Sequence, residues 1–581
     1  TLDISDQASI QKATGGESQS TGGSGIYNHG KLTISGGTIG TAQGGEGKSS
    51  GSGNGGHGIY SKTMEILGGI IQKAIGGNAN GNTCTGGSGI HSDGTLTISG
   101  GTGGAGIGSG SNSSTATTIN IIGGTIKNAT GTDGGAGIGG GRGAGATVTI
   151  SGGTIGSWDR GTQTANKNDG AFSSGGAAIG GGAGASDDTT VTISKVLIHN
   201  AEGRDGGAAI GGGKNSSGAA NVNISSGEVH ASTGSGNGGA AIGGGKNSSG
   251  ETKVNITGGK VNASTGYGNG GAGIGSGKES SGATNIEITG DALVSAGSSG
   301  GAAIGSGKFS TGETTINIHD TTAGKGVKSA FAYVGAGIGS GHYAKGKTYV
   351  TISNASVSTL ESSNASYTNA SGAGIGTGYG SQSNADITIE RNSTVNAVGG
   401  SGAAIGSGSE GDVFSPPTGD PNTFKTIIRI TDSNVTASSG PSAAIGSGSY
   451  STNATEIHIN GGKIKASNYS GSAIGSGDSA KGKTGIYITG SNVTATADIG
   501  TGIGSGTSSS GETTIDISGG TVTAMGGGDG YDGSAGIGAG SHSTGDTHIT
   551  LRDGVTVVEA KGGGNSCLLY TSPSPRDMRR S

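Results

Sequence analysis

The sequence predicts an all-β chain wound as a single-stranded parallel β-helix. Three observations carry that prediction: an isoleucine that recurs at a regular interval, an alternating apolar pair that follows each copy, and a large excess of glycine. The isoleucine stands in a glycine and alanine setting at Ile26, Ile59, Ile90, Ile107, Ile138, Ile179, Ile210, Ile242, Ile274, Ile304, Ile338, Ile375, Ile405, Ile445, Ile474, Ile503 and Ile537. Most steps are about 29–34 residues, with a short step from Ile90 to Ile107 and three stretched by insertions. Internal repetition at such a period is the mark of a solenoid.

The second element follows about ten residues after the isoleucine. It places apolar residues at i and i+2, as in Val254/Ile256, Ile286/Ile288 and Ile316/Ile318. That alternation is the period of a strand with one buried face. A third short element, such as the one around Val261 and Ala263 or Val522 and Ala524, completes the unit, and glycine steps separate the two. One coil holds only a few small aliphatic side chains. At about 1.5–3 kcal/mol each, they cannot offset the ordering of about 30 residues. Coils must therefore bury one another's inner faces, stacked at about 4.8 Å per rung. The prediction is about 17 right-handed coils, with Ile242, Val254, Ile256, Ile274, Ile286, Ile288, Ile304, Ile316 and Ile318 in the core.

Composition agrees. Glycine supplies 138 of 581 residues, while hydrophobic residues are 29% and aromatics 3%, too little apolar mass for an ordinary globular core. A net charge of −5 with 12% charged residues is not the high charge of a disordered chain, and the glycines follow no collagen triplet. Lysine and arginine form no run within the repeats, so no nucleic-acid partner is expected. No apolar segment approaches the roughly 20 residues that span a bilayer. Of the two cysteines, Cys84 lies in a glycine-rich loop and Cys567 outside the repeat, so no disulfide framework is expected.

The expected organisation is an incomplete coil over residues 1–21, a β-helix over 22–566 and a tail over 567–581. Coils of residues 22–100 carry Gly-Ile-Tyr or Gly-Ile-His, and those of 101–566 carry Ala-Ile-Gly or Gly-Ile-Gly, with insertions near 157–175 and 409–426. The tail CLLYTSPSPRDMRRS abandons the repeat and resembles a translated cDNA-library adaptor, so it is set aside as non-native or disordered. The chain starts inside repeat-like sequence and is expected to be a fragment whose flanking domains are missing.

The segments GIYNHGKLTISGGTIG, GGAAIGSGKFSTGETTINI and GGAGIGSGKESSGATNIEITG resemble the glycine-rich parallel β-helix cell-surface and adhesin-type repeat proteins, which are similar in fold to pectate-lyase-like β-helices. The resemblance covers roughly residues 22–560. It implies a secreted or cell-surface location and partners among carbohydrates, extracellular matrix or cell surfaces.

Function on a solenoid lies on its outward residues. The residue between the two inward positions varies from coil to coil: Thr192, Asn223, Asn255, Glu287, Asn317, Thr351, Thr388, Arg429, His458, Tyr487, Asp516. An ice-binding array needs one small residue repeated rung after rung, so this rank disfavours it. The main enzyme alternative is a polysaccharide lyase or hydrolase, or an inactive relative, which would need clustered carboxylates beside a groove. The insertions supply the candidate binding residues: Trp158 (the only tryptophan) and Asp159 in one, Glu410, Asp412 and Asp420 in the other. An aromatic beside an acid can bind sugar, and a solvated loop between coils explains the same residues. No catalytic constellation, metal site or cofactor is identifiable. The single stretch Gly527–Asp532 resembles one copy of a calcium-binding nonapeptide, but such sites need tandem copies. The expectation is a structural or adhesive rod that binds glycans or matrix through its outward polar face.

Overall fold

The structure, a computed structural model, describes all residues except 6, 50–52, 68–69, 78–88, 93–94, 99–101, 105, 109–115, 132–133, 157, 160–163, 166–169, 174, 237, 360–370, 411–419, 529–531, 564–568 and 571–581. Cys84, Asp412 and Cys567 lie outside the described residues. The chain divides into two compact units, Thr1–Ile286 and Glu287–Ser581. The fold is an all-β parallel β-solenoid of about 15 turns, with no helix among the described residues. That is slightly fewer than the 17 counted from the isoleucines, one of whose steps holds only about half a period.

In the first unit the isoleucines pair in parallel and in register: Ile107 with Ile138, then Ile179, Ile210, Ile242 and Ile274. The alternating strands do the same, Val191–Val222–Val254 and Ile193–Ile224–Ile256 forming two adjacent columns. A second sheet stacks the third strands, with Ile198, Val229 and Val261 above one another and Ala201, Ala231 and Ala263 beside them. The second unit repeats the scheme. Ile304 pairs with Ile338, then Ile375, Ile405, Ile445, Ile474, Ile503 and Ile537. Ile318, Ile352, Ile389 and Ile430 form one column of its long strands. All nine expected core residues are buried.

From Ile107 onward glycine follows each repeat isoleucine, whereas Tyr27, Tyr60 and His91 follow it in the opening coils. Gly211 and Gly406 have φ of +128° and +142°, a region that only glycine enters readily. A Cβ on either would overlap the carbonyl oxygen of the next coil's glycine, Gly243 or Gly446. The strands that hold the Ile-Gly pair are short, two residues at Ile210–Gly211 and Ile405–Gly406 and four at Ser472–Gly475 and Thr501–Gly504. In the opening coils, strands Ile26–Ile34 and Ile59–Ile66 run through from the isoleucine to the alternating pair.

The first insertion splits a third strand. Thr154–Ile155 and Gly170–Phe172 both pair with Thr125–Thr130, and between them Trp158–Asp159 pairs antiparallel with Thr164–Ala165. Beyond the repeat, Leu569–Tyr570, inside the segment set aside from the sequence, pairs in parallel with Ile537–Gly538.

Candidate carbohydrate-binding corner

The insertion carboxylates take separate places. Glu410 sits two residues beyond the Gly408 corner, and its carboxylate accepts a hydrogen bond from the backbone N–H of Thr452 at 2.8 Å, from the Thr452 hydroxyl and, at 3.4 Å, from the Ser451 hydroxyl. Burial pushes its pKa up, against those three hydrogen bonds. It ties two coils together. Asp420 lies exposed at a turn where its backbone carbonyl accepts from the Thr423 hydroxyl at 2.8 Å. Trp158 and Asp159 form one arm of the hairpin, and their side chains lie outside the described part of the structure. Asp412 lies outside it altogether, as does half of the stretch Gly527–Asp532. Among the described residues no group of three or more His, Cys, Asp or Glu side chains could hold a metal ion, and no helix is long and apolar enough to cross a membrane, which says nothing of a β-barrel.

A different position draws the exterior aromatics together. In ten coils the chain turns sharply five residues after the repeat isoleucine, and the residue there has positive φ: Asn215, Asn247, Glu279, Phe309, Tyr343, Gly380, Tyr450, Ser479, Ser508 and His542, between +54° and +61° apart from Tyr343 at +53°; Glu410, at the same place after Ile405, does not. Asparagine and glycine tolerate this left-handed bend, whereas phenylalanine and tyrosine are outliers in it. The bend is enforced from the next coil. The N–H of Phe309 donates to the carbonyl of His342 at 2.9 Å, and that of Tyr343 to the carbonyl of Tyr379 at 3.0 Å.

The bend throws the rings outward into a stack. Phe309 and Tyr343 lie 5.7 Å apart and within 9° of parallel. Tyr343 lies so close over Gly380 that a Cβ there would overlap its ring. His342 stacks on Tyr343 at 4.0 Å, and Tyr379 meets both edge-on at 5.4 and 5.9 Å. The Lys308 amine stands 4.8 Å from the Phe309 ring centre, within cation–π range. Burial, with Lys308 adding to it, lowers the His342 pKa to about 4, so near neutral pH the imidazole is an uncharged ring within the stack. Phe309 and Tyr343 remain 40% and 41% exposed.

The outward rank read from the sequence is also in register, Arg429–His458–Tyr487–Asp516 forming one line. Arg429 pairs with Asp386 of the preceding coil, outside the rank, and His458 stacks on Tyr487 at 4.9 Å within it. In the first unit Tyr27 stacks on Tyr60 at 4.7 Å. Aromatics are thus placed outside; of them only Phe172 joins the buried core among the described residues. Sequence reasoning aligned the repeats on the inward pair and passed over the corner. Counting five residues on from each isoleucine would have exposed Phe309, Tyr343 and Tyr450 as a column.

Comparison with protein families, with curated proteins and with solved structures finds no match for this chain.

Proposed function

We propose that this chain is an extracellular structural or adhesive solenoid that binds carbohydrate, and that the corner of Phe309, His342, Tyr343 and Tyr379 is its sugar platform. One observation carries the reading: bulky rings occupy a left-handed corner where they strain the backbone, and they contribute to no core. Strain of about 1–3 kcal/mol per such residue persists where something other than stability maintains it. Nearly parallel, half-exposed rings offer flat apolar faces to the C–H face of a pyranose. The tyrosine hydroxyls and the Lys308 amine at their rim suit its hydroxyl groups. The pattern of exposed aromatics on a polar, nearly uncharged surface also supports a secreted or cell-surface setting.

The test is a glycan array probed with the full chain and with a Phe309→Gly/Tyr343→Gly variant. Glycine relaxes the bend, so the variant should fold with a melting temperature close to the parent's. The expected result is binding to at least one glycan class, weakened at least tenfold in the variant. A blank array, or binding that the variant retains, would overturn the proposal.

A further inference from the structure

The same corner in the first unit is built from different chemistry. Four residues after the isoleucine, the segments GGGKNSSG at 211–218 and 243–250 and GSGKESSG at 275–282 place Lys214, Lys246 and Lys278. These belong to successive coils, because the neighbouring Ile210, Ile242 and Ile274 pair in register. A file of cations therefore climbs the surface at one per rung, about 4.8 Å apart along the stacking direction.

Their stems are held in place. A Cβ on Gly206 would lie 2.9 Å from Cδ of Lys214, and one on Gly238 would lie 3.0 Å from Cδ of Lys246. Each lysine is thus laid across a glycine of the adjoining loop, and its backbone is fixed as well. The Lys246 N–H donates to the carbonyl of Gly206 and the Lys278 N–H to that of Gly238, both at 2.7 Å. Among the described residues Lys214 makes no ion pair, while Glu279 reaches both Lys278 at 3.1 Å and Lys246 at 4.0 Å. Asp205 precedes Gly206 in the adjoining loop. Exposed asparagines 215 and 247 stand beside the lysines. Tyr267 is 87% exposed on the loop whose Asn269 side chain receives the N–H of Gly238 at 2.7 Å.

We infer that Lys214, Lys246 and Lys278 form a track for an anionic polysaccharide, a chain bearing one carboxylate or sulfate per sugar, with Glu279 occupying the end of the track in the free protein. A single file of point charges repeating at a sheet rung matches an extended chain with one anion per monomer. Duplex nucleic acid would call for a broader basic face, and the chain's net charge of −5 opposes it. Amide side chains beside each cation suit sugar hydroxyls. The inference is independent of the aromatic corner.

Binding of the full chain to polygalacturonate, to heparin and to neutral dextran is measured at low and moderate salt. Lys214→Met/Lys246→Met keeps the stems over Gly206 and Gly238 and removes two charges. The expected result is salt-sensitive binding to polygalacturonate or heparin and not to dextran. The double variant should weaken it at least tenfold, Glu279→Gln should strengthen it several-fold, and Phe309→Gly/Tyr343→Gly should leave it unchanged. Preference between the two polyanions assigns carboxylate or sulfate. Absence of binding to both, indifference to the lysine substitutions, or tighter binding to duplex DNA than to either polysaccharide overturns the inference.

Discussion

The two units wind the same coil and differ in how they line one buried turn. After the Ile-Gly pair, the first unit carries glycine at positions 140, 181, 212 and 244 and serine at 276, and the second carries Ser306, Ser340, Thr377, Ser407, Ser447, Ser476 and Ser505, with alanine at 539. The second unit uses those hydroxyls as a ladder. Ser306, Ser340, Thr377, Ser407, Ser447, Ser476 and Ser505 each accept the N–H of a glycine in the following coil, at 2.8–3.2 Å. Several also meet a hydroxyl further along the following coil, as Ser407 meets Ser451 at 3.2 Å. In the first unit the same space is taken from the neighbouring strand, where a Cβ on Gly244 would lie 2.7 Å from the Thr252 hydroxyl. A buried N–H requires a partner, and the two units show that a stacked coil can accommodate the turn with or without a side chain there. From Ile107 onward the glycine immediately after the isoleucine shows no such exchange.

That contrast can be broken most severely at the glycine with positive φ that follows the isoleucine from Ile107 onward. Gly211→Ala and Gly406→Ala each force a Cβ into the next coil's carbonyl and a non-glycine residue into a glycine-only region. Each should cost more than about 4 kcal/mol, measured by denaturant unfolding. An alanine tolerated in either unit would mean that the coils do not stack as described.

The exchangeable turn should respond more mildly and in one unit only. Ser407→Ala removes the acceptor for the Gly448 N–H at 3.0 Å and should cost about 1–3 kcal/mol, the penalty for leaving a buried donor unpaired. Gly212→Ala in the first unit meets the Ala220 methyl at 3.3 Å and has no hydroxyl to lose, so its effect should be smaller. Equal losses at the two sites would erase the distinction between the units.

The smallest effect is expected at the second unit's aromatic corner. Because the folded His342 pKa of about 4 lies below its ordinary 6.5, the unfolded chain takes up the proton first as pH falls. Stability should be full above about pH 6.5 and should decline toward pH 4. A melting curve taken against pH should show that decline, and His342→Gln should flatten it. An unchanged slope in the variant would place the imidazole in water.

How much of this was open to reading from the sequence follows from which residues the stacking constrains. Ile256, Ile288 and Ile318 declared themselves because an inward column demands the same side chain in every coil, and repetition is visible in a string of letters. The corner was hidden for the opposite reason. Its conformation repeats in most of the later coils while its occupant changes from Asn247 to Phe309 to Gly380, so no shared letter marks the place. What engages the insertion acid Glu410 was hidden for a third reason: its carboxylate accepts from Thr452 of an adjoining coil, a partner about 40 residues away in sequence.

The left-handed bend five residues past the isoleucine of most later coils has a consequence for how such a chain can change. Its shape is imposed by a hydrogen bond from the neighbouring turn, whatever side chain it carries. A single codon replaced there alters what the surface presents and leaves the winding untouched. Duplication of coils then multiplies the number of independent sockets, each free to acquire a charge, an amide or a ring of its own.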